Sequence, residues 1–155
     1  MQPRMKSPVF VLPGTREAIL SIVKASEAAG VPRVTLELVN TRVGQLNGCS
    51  VCVDMHSRAL KKLGESDARV HTLSVWREAP YFTDAERAAL ALAEASTRLS
   101  DRTDAVPDDV WQEAARHFSE PALAALLMTI AVSNLWNRLN VPTRQVTGEW
   151  VGQYL

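Results

Sequence analysis

Nowhere in the 155 residues of this chain do apolar and polar side chains alternate for long enough to make a half-buried strand, and that absence narrows the fold more than any other feature. Apolar residues recur instead at three- and four-residue spacing, in segments separated by Gly, Pro and polar breaks. The chain therefore reads as all-α. The same observation argues against a thioredoxin fold around its one Cys-x-x-Cys pair, because that fold needs strands alternating with helices.

Taken in order, residues 1–13 are interrupted by Pro3, Pro8 and Pro13 and read as an extended arm. The short apolar stretch Val9 to Leu12 is expected to pack on this chain or on a neighbouring subunit. A helix should run from Thr15 through Ile19, Leu20, Ile22 and Val23 to Gly30, and a second from Pro32, with Val34, Leu38 and Val39 on its apolar side. Asn47-Gly48 breaks that run. The next helix is placed from about Cys49 to Leu63, with Cys52, Val53, His56, Ala59, Leu60 and Leu63 as its apolar stripe and Gly64 as its cap. Ser66 can cap a further helix carrying Val70, Leu73, Val75 and Trp76, and Thr83-x-x-Glu86 is a capping box for a helix to about Leu99. Residues 100–105 read as a loop. Pro107-Asp108-Asp109 starts a helix ending near Phe118, and Ser119-Glu120-Pro121 restarts the chain. The segment from Ala122 to Leu139 is apolar nearly all round, so it should be central or buried at a subunit contact, and its Asn134 and Asn137 need partners. Residues 141–155 form a polar tail with Trp150 and Tyr154 and no assigned structure. Length and the lack of an internal repeat point to a single domain over residues 1–155.

The two cysteines, Cys49 and Cys52, are the chemically distinctive residues. Three apart at a helix start, they lie on one face, where the helix dipole and unpaired backbone N–H groups favour the reactive thiolate. His56 follows Cys52 by four residues, so its imidazole can approach the second sulfur as base, acid or ion-pair partner. Glu37 sits on the preceding helix and faces the pair only if the two helices form an antiparallel hairpin; otherwise it simply pairs with Arg33 or Arg42 on a wet face. His71 and His117 are assigned to no site.

Composition excludes several classes. The formal net charge is zero, with no basic excess for nucleic acid and no charged tail. The N-terminal residues do not resemble a signal peptide, and no run approaches the roughly 18 apolar residues of a membrane span. A cytoplasmic protein without membrane or nucleic-acid partners is expected. No phosphate-cradling glycine motif is present, and no cofactor is expected. Two closely spaced cysteines favour redox or metal work over a secreted disulfide scaffold.

Glu37, eleven residues, Cys49-Ser50-Val51-Cys52, three residues and His56 together resemble the active-site signature of the carboxymuconolactone decarboxylase and alkylhydroperoxidase D family. The likeness extends through Trp76-Arg77-Glu78-Ala79-Pro80, Thr83 to Arg87 and Asn134 to Leu139, roughly residues 15–140. It implies an AhpD-like helical bundle with thiol-dependent peroxidase activity on hydrogen peroxide or organic hydroperoxides. In such proteins the residue matching Cys52 attacks the peroxide, that matching Cys49 resolves the sulfenic acid as a disulfide, and those matching Glu37 and His56 relay protons. An external dithiol regenerates the enzyme, and members are commonly homo-oligomers, trimers or hexamers. Where the best-studied peroxidase branch has a second histidine between the cysteines, this chain has Val51.

Three other readings compete. The family contains decarboxylases acting on a muconolactone, though these generally lack the cysteine pair. Cys49, Cys52, His56 and Glu37 have the residue types of a zinc site, but no second cysteine pair is available to complete one of the usual structural kind. Two inert buried cysteines are the blandest alternative.

Overall fold

The structure is a computed structural model describing residues 1–101 and 103–154, and among these every regular element is helical. A short α1 (Pro8–Val11) leads into α2 (Thr15–Glu27), α3 (Arg33–Asn47) and α4 (Ser50–Lys62). Next come α5 (Asp67–Thr72), which tightens into a 3-10 turn at Leu73–Val75, and α6 (Asp84–Thr97). A 3-10 turn at Leu99–Asp101, α7 (Asp108–His117), the long α8 (Glu120–Thr143) and a 3-10 segment at Glu149–Tyr154 complete the order.

Helix α8 is the axis of the packing. It lies against α2, α3 and α6, and touches α4 and α7, which is why it has no single apolar stripe: most of its circumference meets another helix. Its Leu126 and Ile130 interlock with Val39 and Val43 of α3 and Leu92 and Ala93 of α6; each such side chain removed from water stabilises the fold by about 1.5–3 kcal/mol. By length and mean hydropathy (1.3) α8 could cross a membrane, but half of that apolar window is buried inside the fold, as befits a core helix.

Polar residues lock the second half of the bundle. Arg87 on α6 donates to the carbonyls of Trp76, Arg77, Ala79 and Phe82, tying down the connection that carries them. Thr83 and Glu86 form the expected reciprocal capping box. Glu94 accepts from Arg42 of α3, from the Trp76 indole and from Arg77. Burial pushes the Glu94 carboxyl up, but these donors outweigh it and hold the group below its ordinary range.

The structure departs from the sequence reading at both termini. The arm is not wholly extended: Pro8 at the first position pre-sets φ for α1, and Val9 packs on Ile19 and Val132 of the same chain. The residues assigned to the tail begin inside α8, which runs on to Thr143 with Pro142 in its last turn. A proline is tolerated there because the helix is ending, and Arg4 of the arm supplies donors to the carbonyls of Thr143 (2.8 Å) and Pro142 (3.0 Å). The Glu149–Tyr154 segment then folds back onto α4, burying Val151 completely against Cys49, Val51 and Cys52. Leu63, placed in the apolar stripe of α4, is instead 44% exposed, because it caps the helix rather than extending it. The helix carrying Val70 to Trp76 is α only to Thr72, and Val75 faces out.

Candidate dithiol site

The site is built on the α3–α4 hairpin. Gly48 closes α3 in the left-handed conformation (φ 68°), which an L side chain adopts only with strain, and reverses the chain directly into Cys49. One turn earlier, Gly44 lets α4 approach closely: a Cβ there would lie 3.2 Å from both Cys52 Cβ and Val53 Cγ2. Cys49 is the N-cap of α4, and its sulfur accepts from the backbone N–H of Cys52 at 3.3 Å. The two cysteines are joined as a disulfide with their Cα atoms 5.4 Å apart. Both are buried, Cys49 1% and Cys52 4% exposed.

The hairpin also brings Glu37 to His56. Glu37, only 2% exposed, places Oε2 2.6 Å from His56 Nδ1, and its Oε1 receives the Arg33 guanidinium at 2.6 Å. Burial pushes the Glu37 carboxyl up, but the hydrogen bond and charge of His56 and then Arg33 prevail and hold it below its ordinary value of 4.5. Glu37 therefore faces the dithiol's histidine across the hairpin, and it also pairs with Arg33, though from a buried position rather than on the wet face that the alternative reading required. With Nδ1 engaged, Nε2 is the imidazole nitrogen left for chemistry.

The imidazole is not the group on the sulfur. Among the described residues His56 makes no hydrogen bond to either cysteine; the Asn137 amide Nδ2 donates to Cys52 Sγ at 3.0 Å, and Asn140 Nδ2 lies 3.6 Å from the same atom. The polarity of the Asn137 amide is set from outside the site. Asn134 Nδ2 donates to the Ile130 carbonyl (2.9 Å), which can only accept, and Asn134 Oδ1 receives the Arg138 guanidinium (2.8 Å), which can only donate. Asn134 Oδ1 therefore takes its second proton from Asn47 Nδ2 (3.0 Å), and the same nitrogen donates to Asn137 Oδ1 (2.7 Å). Only the N–H side of Asn137 remains to face the sulfur. Sequence reasoning saw that Asn134 and Asn137 needed partners and did not place them at the site; Asn47, Asn140 and Gly44 it missed. Two asparagines within one turn of an otherwise apolar helix was the available signal.

Cys52, Val51, Met55, His56 and Glu37 open onto a cavity of about 1020 Å³ floored by one face of α8 and walled on the far side by α1 and α2. Cys49 is not part of its lining. No group of three or more His, Cys, Asp or Glu side chains among the described residues is placed to hold a metal ion. His71 lies on the exposed α5, and His117 pairs with Glu113 at 3.1 Å, both away from the dithiol.

A helical bundle presenting a Cys-x-x-Cys pair at a helix start, beside a buried glutamate paired with a half-buried histidine, defines the class of protein to which this chain belongs. Residues 13–95 match the model of the carboxymuconolactone decarboxylase family, and the chain is a member of that family. It is 31% identical over 131 residues to the uncharacterised protein YdfG of Bacillus subtilis, covering 84% of this chain and 88% of the relative. A 43-residue stretch is 42% identical to the alkyl hydroperoxide reductase AhpD of Bradyrhizobium, covering 28% of this chain and 24% of that protein. Among solved structures it superposes on ATU0492 of Agrobacterium tumefaciens, a protein of unknown function for which an AhpD-type antioxidant-defence role has been suggested (TM-score 0.87, 30% identity, 95% of this chain and 99% of that one). It shares its fold with the debrominase Bmp8 (TM-score 0.74, 20% identity, 91% and 75% of the two chains).

Proposed function

We propose that this protein is a thiol-dependent peroxidase cycling between the Cys49–Cys52 dithiol and disulfide. The observation that carries the reading is the asymmetry of the pair: Cys52 lines the cavity beside His56, while Cys49 is sealed behind it. Cys52 thiolate attacks one oxygen of the hydroperoxide; an S–O bond forms, the O–O bond breaks, and the leaving alkoxide takes a proton from His56. Cys49 thiolate then attacks the Cys52 sulfur, expelling hydroxide, which leaves as water once protonated. In sum one hydroperoxide and two thiols give an alcohol, water and the disulfide. Glu37 holds the imidazole by Nδ1 and so orients its Nε2, and the Asn137 N–H supports negative charge on Cys52, at a site where Val51 supplies no imidazole. A low-molecular-weight or protein dithiol returns the two electrons. The working form is a cytoplasmic homo-oligomer, a trimer or hexamer.

The deciding measurement is free-thiol content by mass spectrometry before and after one equivalent of peroxide, on wild type, Cys49→Ser and Cys52→Ser. Wild type should close the disulfide, and Cys49→Ser should accumulate sulfenic acid on Cys52. Thiols no more reactive than free cysteine, or turnover of a muconolactone by the double Ser variant, would remove the peroxidase reading.

A further inference from the structure

The cavity is far larger than hydrogen peroxide requires. At about 1020 Å³ it is at the top of the roughly 300–1,000 Å³ range of pockets that enclose drug-sized ligands, whereas a water molecule's share of liquid volume is about 30 Å³. Its inner surface is apolar over much of its extent, through Val9, Val23, Leu36, Val51, Val132 and Trp136. The charged groups are distributed unevenly. Arg16, Leu20, Val23, Lys24 and Glu27 all line it and recur on one face of α2, the wall opposite the dithiol. Lys6 joins them from the arm. Against Lys6, Arg16, Lys24 and Arg33 the lining sets two carboxylates, Glu27 and Glu37, and both are paired with Arg33. Among the described residues Lys6 and Lys24 form no ion pair, so these two cations leave uncompensated positive charge at the α2 wall.

Resting on the peroxidase reading of this site, we propose that the substrate is an amphiphilic organic hydroperoxide, a long-chain carboxylic acid hydroperoxide, bound with its chain across the apolar floor and its carboxylate at Lys6 and Lys24. The peroxide group reaches Cys52 on the opposite wall, and the carboxylate meets cations that the fold leaves unneutralised. Each methylene taken from water tightens binding roughly fourfold, so a chain-bearing substrate gains over hydrogen peroxide from parts that never react. This is the condition under which remote binding contributes to rate. The chemistry is that already given: the carbon-bound hydroperoxide becomes an alcohol, one oxygen leaves as water, and the dithiol becomes the disulfide.

The test separates binding from chemistry. Binding is read on the disulfide form by calorimetric titration with linoleic acid and with methyl linoleate, both below their aggregation concentrations. Reaction is read on the reduced protein as the rate of disulfide closure by linoleic acid hydroperoxide, its methyl ester and hydrogen peroxide. The acid should bind more tightly than the ester, and its hydroperoxide should react with the largest kcat/KM. In the double variant Lys6→Glu, Lys24→Glu the acid-over-ester preference should fall by roughly tenfold in both assays, the scale of two reversed rim charges. Equal affinity for acid and ester, or hydrogen peroxide reacting as fast as the acid hydroperoxide, overturns the substrate assignment while the peroxidase reading stands. Charge-dependent binding of linoleic acid with no hydroperoxide closing the disulfide supports the pocket assignment and overturns the peroxidase reading instead.

Discussion

The side-chain amide of Asn137 donates to Cys52 Sγ across 3.0 Å, and a chain of amides anchored at the Ile130 carbonyl holds it in that sense. A neutral donor gains most when its acceptor becomes charged, so this contact strengthens as Cys52 ionises. Hydrogen bonds to charged groups contribute about 1.5–3 kcal/mol, which corresponds to roughly 10- to 100-fold in rate. Asn137→Leu should raise the Cys52 thiol pKa, followed by ultraviolet thiolate absorbance in Cys49→Ser, and slow peroxide-driven disulfide closure by that factor in the full dithiol. Asn137→Asp should be slower still, because a carboxylate repels the thiolate. An unchanged thiol titration in both variants would show that the amide merely packs there.

Glu37 ties the site to acid stability. Its carboxyl titrates below its ordinary value of 4.5 in the folded protein, so the folded state binds fewer protons than the unfolded chain in that region. The stability it contributes is fully present above pH 4.5 and is lost as pH falls through the folded-state value. The Tm difference between wild type and Glu37→Gln should be largest near neutral pH and shrink on acidification below 4.5. A difference that stays constant from neutral pH to below the transition would contradict the pairing of Glu37 with His56 and Arg33.

Gly44 sets the spacing of the hairpin. With Cys52 Cβ and Val53 Cγ2 each 3.2 Å from where a Cβ would stand, Gly44→Leu must push α4 away from α3. Overpacking of this kind costs about 1–3 kcal/mol, more than the helix propensity gained over glycine, about 1 kcal/mol. The urea midpoint should fall accordingly. Displacement of Cys52 should also slow disulfide closure, a readout that a purely distant packing defect would leave alone.

Val151 closes the back of the disulfide. It is fully buried against Cys49, Val51 and Cys52, so Val151→Ala should cost about 1.5–3 kcal/mol in transfer and cavity terms. The same change uncovers the sulfurs, and dithiothreitol should reduce the disulfide faster at a temperature where the variant remains folded. Identical reduction kinetics would mean that the reductant enters from the cavity side alone.

Much of this architecture is written locally. The absence of alternation, the Thr83–Glu86 capping box and the Asn47-Gly48 break define the order of helices, because caps and turns are satisfied within a few residues of chain. The Glu37, Cys49, Cys52 and His56 spacing likewise pointed to the pair of helices that brings these four residues together, since a hairpin sets near neighbours in sequence face to face. The tertiary structure alone decided which group sits on the sulfur. Asn137 is 85 residues from Cys52 and Asn47 is 90 from Asn137, and contacts at that range depend on how helices cross, a quantity no local pattern encodes. Pro142 inside α8, the return of Val151 onto the disulfide and the cationic wall of the cavity are of the same kind. Each is fixed by which helix faces pack together, and burial of apolar side chains selects that arrangement only when the whole chain has collapsed.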